Sequence, residues 1–292
     1  MTTKEEIATT LIRYNHSVKI LGLILDRIEE KNFDNNSWVT FSEKIGKKYL
    51  NQAFTLQQAF TNDLYIIKGN IEERFFDFSS IFSLLRVQLE TYAVFYHLFI
   101  DNCSIEERII RFRLWQLDGL KSRQTYSQPD DEELKQKLEK ENEDIQHCIS
   151  AIEGVNYFKT LEEKNKLFLL KFAAWRFTNE SLKNKDNQKK KISINQMIMN
   201  TGLDKAHFDD WYSYTSTHTH TTYWSVVQND SLVEQDKITM EYVALMQGTF
   251  ITSFLIKDFC KIYKVAQDVF NALLEKDQKL INSFEKRGKN KL

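Results

Sequence analysis

The chain is poor in the residues that make turns. Its 292 residues include one proline, Pro129, and eight glycines. Tight β-turns and phosphate-cradling loops consume both types. Their scarcity argues against a turn-rich sheet protein and for long, uninterrupted helices. No glycine-rich nucleotide motif is present. The three cysteines, Cys103, Cys148 and Cys260, are far apart and form no C-x-x-C pair, as expected of a reduced, cytoplasmic chain. The first residues, MTTKEEIATT, mix acid and base in a helical pattern and do not resemble a signal peptide. The longest apolar run, YVALMQGTFITSFLI, is short for a bilayer span and is interrupted by Gln247, so no membrane partner is expected. With 40 basic and 41 acidic residues the net charge is -1. That balance excludes bulk electrostatic attraction to nucleic acid or anionic membrane and leaves only local basic patches.

What is present is helical periodicity. Thr3 with Glu6 reads as a capping box ahead of Ile7, Leu11, Tyr14, Val18, Leu21, Leu25 and Ile28, which predicts a helix from about Lys4 to Glu30. NFDNNSW breaks it. Further helices are expected at about Phe41–Lys68 and Phe78–Ile100, then from the Ser104/Glu107 box through Leu120. A turn at Pro129 leads into a charged helix with a Glu133/Lys137 pair. Tyr157–Leu182 and a short Ile194–Asn200 segment follow. Ser231 with Glu234 is expected to cap a long helix to about Tyr263, and the last helix ends near Lys286. Residues 183–191, KNKDNQKKK, read as an exposed basic loop, and 287–292 as a basic tail. With no internal repeat and no convincing strand, the expectation is all-α: a single helical domain over 1–292, a bundle of about eight to ten helices.

One helix carries an unusual stripe. With Arg86 at zero and about 100° per residue, Glu90, His97 and Ser83 all fall within about 60° of it. The rest of the circumference is Ile81, Leu84, Leu85, Val87, Leu89, Tyr92, Phe95, Tyr96, Leu98 and Phe99. A helix apolar almost all round belongs in a core, where ionisable groups are costly unless paired. Arg86 and Glu90, four residues apart, can pair directly. The stripe is therefore either a structural ion pair or a ligand site.

WYSYTSTHTHTTYW, residues 211–224, holds two histidines, five threonines and five aromatics, and no Asp, Glu, Lys or Arg. Threonine-rich sequence is a poor helix former. If it is helical, His218 shares a face with Trp211, Tyr214, Thr215 and Thr222, and His220 lies with Ser216, Thr217 and Trp224. The usual companions of zinc histidines are missing, so no metal and no cofactor is expected. The alternatives are satisfied core histidines or a histidine that acts on a ligand.

Two of these segments carry a resemblance. SLLRVQLETYAVFYHLFIDN, residues 83–102, resembles the R-x-x-x-E-x-Y helix of a family of uncharacterised bacterial all-helical proteins, a domain of unknown function. YSYTSTHTH resembles that family's Y-x-x-x-S-x-x-x-H segment. The match carries Arg86, Glu90 and Tyr92, then Tyr212, Ser216 and His220, and spans roughly residues 78–225. It implies a helical fold with an Arg/Glu/His constellation. A weaker similarity leads to HEPN-like proteins, often dimeric, many of them metal-independent ribonucleases of toxin–antitoxin and phage-defence systems. Their Arg and His lie four to six residues apart on one helix. Here Arg13 and His16 are closer and Arg86 and His97 more distant, so an active pair would be composite, such as Arg86 with His220.

The expectation that follows is a HEPN-like protein acting on RNA or a nucleotide in bacterial defence or stress response. Arg86, Glu90 and His220 form its catalytic set. Tyr92, His97, Tyr212, Ser216 and His218 position the ligand. A homodimer or an antitoxin-like protein is the expected protein partner. The alternative is a non-catalytic helical interaction module in which the same Arg/Glu/His network is structural.

Overall fold

The computed structural model describes residues 2–31, 38–61, 65–68, 71–74, 77–125, 131–220 and 222–289. The chain is all-α. The helices are α1 (Lys4–Glu30), α2 (Phe41–Thr61), α3 (Phe78–Phe99), α4 (Ile105–Gln124), α5 (Glu132–Gly154), α6 (Asn156–Thr160), α7 (Glu163–Phe172), α8 (Asn179–Leu182), α9 (Asn187–Lys190), α10 (Ile194–Asn200), α11 (Lys205–Thr219), α12 (Tyr223–Ser231), α13 (Glu234–Ile262), α14 (Lys264–Ala272) and α15 (Glu275–Gly288). A 3-10 turn at Trp38–Thr40 precedes α2.

Local chemistry accounts for several boundaries. The Thr3 backbone N–H donates to Glu6 Oε2 at 2.8 Å and the Glu6 N–H to Thr3 Oγ1 at 3.2 Å. This is the reciprocal box that starts α1 where the spacing predicts. Ser104 caps α4 by accepting from the Glu107 N–H, but the Glu107 carboxylate turns inward and does not complete a box. The Glu133–Lys137 pair forms at 2.7 Å on α5. The start of α13 differs from expectation. Ser231 closes α12, and Val233 precedes α13 with its N–H donating to Asp236 Oδ2.

Several expectations are corrected. The helix over 41–68 ends at Thr61, and Tyr65–Lys68 pairs antiparallel with Ile71–Arg74, Lys68 opposite Ile71. YIIK is rich in aromatic and β-branched side chains, and a short ribbon (β1, β2) exists where no strand was expected. The helix over 157–182 is three pieces. Ala173 stands in the left-handed region at φ 42° and terminates α7. Such breaks raise the helix number above eight to ten among the described residues. The 183–191 segment is exposed over 183–189 but contains α9, and its Lys190 is buried, with Nζ donating to Asn165 Oδ1 at 2.8 Å over the Phe168 ring. Arg287 lies in α15 and not in a tail; residues 290–292 and the turn at Pro129 lie outside the described residues, as does most of NFDNNSW.

The chain packs as two compact units, Met1–Tyr96 with Met197–Leu292, and His97–Gln196. In the first, α13 is the centre. It packs against α1, α2, α14 and α15, and it is buried almost continuously from Ala244 to Cys260. Its 29 residues are enough to cross a membrane by length and composition, and 83% of its most apolar stretch is buried within the chain. The apolar run noted in the sequence is thus a core helix in this fold. Phe95 meets Phe259, and Phe208 meets Phe250 and Phe254, which fixes α3 and α11 to α13. In the second unit, α4 packs on α5, α6 and α7, and α8 on α9.

Candidate functional site

The two separated motifs meet. On α3, Arg86 Nε donates to Glu90 Oε1 at 2.8 Å, the i,i+4 pair read from the sequence. Its Nη1 donates to Ser216 Oγ at 2.6 Å and its Nη2 to Tyr212 OH at 3.3 Å, and the guanidinium lies 5.0 Å from the Tyr212 ring centre. The Tyr212 hydroxyl in turn donates to Glu90 Oε1 at 3.2 Å. One turn on, Ser83 Oγ donates to Thr219 Oγ1. The partners run 90 with 212, 86 with 216 and 83 with 219, so α3 and α11 lie antiparallel along this seam. Spacings of three and four on both helices keep each stripe facing the other.

The seam is open to water on one side. The side chains of Arg86 and Glu90 are 18% and 32% exposed. Burial works against the Arg86 charge, but Glu90 and Tyr212 outweigh it and hold the guanidinium above its ordinary value. Burial, with the charge of Glu90, raises the Tyr212 phenol, which stays a neutral donor. A guanidinium has five N–H donors. Three are used here, and the remainder have no partner among the described residues.

The histidines separate by environment. His218 is buried on the other face of α11, its ring 5.0 Å from that of Phe78, 5.4 Å from Phe82 and 4.7 Å from Tyr214. Among the described residues neither ring nitrogen has a hydrogen-bond partner, nor has the Trp211 Nε1. His220 lies just past the end of α11 and is exposed. Its N–H reaches the Ser216 carbonyl at 3.4 Å, so it continues the Tyr212–Ser216 face by one more residue in four. Among the described residues its imidazole has no hydrogen-bonding partner. Among the described residues the Ser216 hydroxyl meets Arg86 and not the imidazole four residues on.

Two expected site residues lie elsewhere. Tyr92 is fully buried and donates to Asp258 Oδ2 at 2.9 Å, with Lys261 on the other carboxylate oxygen at 2.7 Å. The motif resemblance groups Tyr92 with Arg86 and Glu90, but residues 90 and 92 point about 200° apart around a helix. His97 is buried in the second unit. Its Nε2 meets the Trp175 carbonyl at 3.2 Å and its Nδ1 lies 3.3 Å from Arg111 Nη1. It belongs to a network the sequence reading missed. There Arg111 binds Asp101 Oδ2 and Glu107 Oε1, each at 2.6 Å, Asn179 donates to Glu107 Oε2 at 2.8 Å, and Tyr157 OH donates to Asn179 Oδ1. The signal available was Glu107 and Arg111 at i,i+4 on a helix whose same stretch buries Ile110, Leu114 and Leu117. Among the described residues no group of three His, Cys, Asp or Glu side chains is arranged to hold a metal ion.

Burial lowers the pKa of both His97 and His218 from the ordinary 6.5. The unfolded chain therefore takes up protons that the folded chain resists. Stability is full above about 6.5 and falls as the pH is lowered through and below that value. For Asp101, burial pushes upward but the bonds from His97 and Arg111 prevail, and it titrates at about 2, so a further loss begins below its ordinary 3.8. Urea midpoints are expected to drop between pH 7.5 and 5.5, and His218→Phe, which keeps the ring packing and removes the titrating group, is expected to reduce that drop. Equal midpoints at both pH values would show that neither buried histidine resists protonation.

No protein-family model, curated protein or solved structure matches the chain.

Proposed function

We propose that the chain acts on RNA or a nucleotide at the seam between α3 and α11, as a HEPN-like ribonuclease that uses histidine and arginine in place of a metal. One observation carries this reading. Arg86 is held by three protein partners, keeps N–H donors without a partner among the described residues, and bonds to the Tyr212–Ser216 face of α11 that the exposed His220 continues. A positively charged, pre-oriented fork suits phosphate oxygens, and an accessible imidazole suits proton transfer.

In this chemistry His220 takes the proton from a ribose 2′-hydroxyl. The 2′-oxygen bonds to the adjacent phosphorus, and the bond from phosphorus to the 5′-oxygen breaks. The leaving oxygen takes a proton from water, the hydroxide so formed takes the proton back from the His220 imidazolium, and the products are a 2′,3′-cyclic phosphate and a 5′-hydroxyl. Arg86 faces the charge on the non-bridging oxygens, Glu90 and Tyr212 aim Arg86, and Ser216 anchors it to α11. Cleavage of a mixed RNA pool, with and without chelator, tests the reading. Cutting in both conditions, with cyclic-phosphate ends, is expected, and Arg86→Ala is expected to lower the rate by about tenfold or more. Wild-type protein that cuts and binds no RNA would sink it.

The second reading is a non-catalytic interaction module. It is favoured by the closed ring of bonds among Arg86, Glu90 and Tyr212, which needs no ligand to be satisfied. In it, Arg86→Ala loosens α11 and changes no RNA-dependent property.

A further inference from the structure

Past His220 the chain presents two large aromatic side chains to solvent. Tyr223 is 76% exposed and Trp224 67% exposed, in the first turn of α12. Val226, on the same short helix, is also exposed. This turn is tied directly to His220. The Thr222 N–H and the Ser225 hydroxyl both donate to the His220 carbonyl, at 2.7 and 3.3 Å, and Thr222 Oγ1 caps the helix by accepting from the Ser225 N–H. The aromatics are thus held next to the histidine by its own backbone.

Burying aromatic rings is favourable, so two that are exposed side by side call for an occupant. The segment around them points to its chemistry. From Trp211 to Asn229 there is no Asp, Glu, Lys or Arg, in a chain with 41 acidic residues. No carboxylate on this segment repels a phosphate backbone. Arg86 sets a fixed positive charge against the face that Tyr212 and Ser216 share. The two rings are 5.8 Å apart and inclined by 70°. They cannot both lie parallel to bases that are already stacked on each other. Each can receive one base of a strand whose bases are splayed apart.

We propose that Trp224 and Tyr223 are base-stacking residues and that the ligand of this site is single-stranded RNA, in preference to duplex RNA or a free mononucleotide. This rests on the RNA reading above and specifies it. Duplexes keep their bases stacked and hidden, whereas single strands give up base faces to exposed aromatics.

The test is binding of a labelled single-stranded RNA oligomer, the same oligomer in a duplex, and a mononucleotide, to wild type, Trp224→Ala, Trp224→Phe and Tyr223→Ala. Thermal melts confirm that each variant is folded. The single strand is expected to bind about tenfold or more tightly than the other two. Trp224→Ala is expected to weaken it by roughly tenfold, as the loss of one stacked base does, and Trp224→Phe to restore most of it. Single-strand binding that is unchanged in Trp224→Ala and Tyr223→Ala, or duplex bound as well as single strand, overturns the stacking role while the RNA reading stands. No RNA binding by wild type overturns both. In that case self-association that is lost on Trp224→Ala would assign the exposed face to a second copy of the chain.

Discussion

Glu107→Ala is expected to destabilise the protein by about 3–5 kcal/mol. Glu107 and Arg111 are 1% and 2% exposed and meet at 2.6 Å. Arg111 cannot lose its charge to escape burial. With Glu107 gone, its Nη2 loses its carboxylate partner, and the Asn179 amide loses an acceptor as well. Asp101 remains on Nη1, but water does not reach the vacated side. Removing both partners is a different matter. Glu107→Leu with Arg111→Met takes out two desolvated charges together and is expected to recover a large part of the loss. The recovery is incomplete because Asp101 and the His97 carbonyl also lose a donor. Urea denaturation of the single and double variants gives both figures. A loss below about 1 kcal/mol for Glu107→Ala, the range of exposed pairs, would mean that water enters this network.

The second large effect concerns the two histidines. His220→Ala is expected to lower RNA cleavage by on the order of 10²–10⁴-fold, the contribution of a general acid or base, with the melt unchanged, since the side chain is exposed and without a partner among the described residues. His218→Ala is expected to do the reverse. It removes a ring packed against Phe78, Phe82 and Tyr214 and leaves a cavity in the face that holds α11 to α3. His218→Phe is expected to keep both stability and cleavage. A His218→Phe protein that folds but no longer cuts would make His218 the reacting group and put the chemistry inside the aromatic box. A folded His220→Ala protein that cuts at the wild-type rate would remove histidine catalysis at this seam.

Much of the fold was legible because its determinants are local. Thr3 and Glu6 fix the start of α1, and the spacing of Ile7, Tyr14, Val18, Leu21, Leu25 and Ile28 fixes its buried face. The same holds for Arg86 with Glu90, which meet because four residues make about one turn. The ribbon at 65–74 was hidden by its length, since four-residue strands offer too little alternation to outweigh the helical periodicity on either side. Ala173 was hidden because alanine has no intrinsic preference for a left-handed conformation.

The candidate site divides in the same way. The sequence by itself determined which residues could share a face: Tyr212 with Ser216 and His220, His218 with Trp211 and Tyr214. Only the tertiary structure decided which face meets α3 polar to polar, which one is sealed among aromatic rings, and that His97 answers to Arg111. A helical wheel gives directions around one axis. Whether a direction ends in water, in a carboxylate or in a phenylalanine depends on side chains of other helices, 14 positions away for His97 and Arg111 and 130 for Arg86 and Ser216, and packing chooses among them by the cost of burying each polar group unpaired.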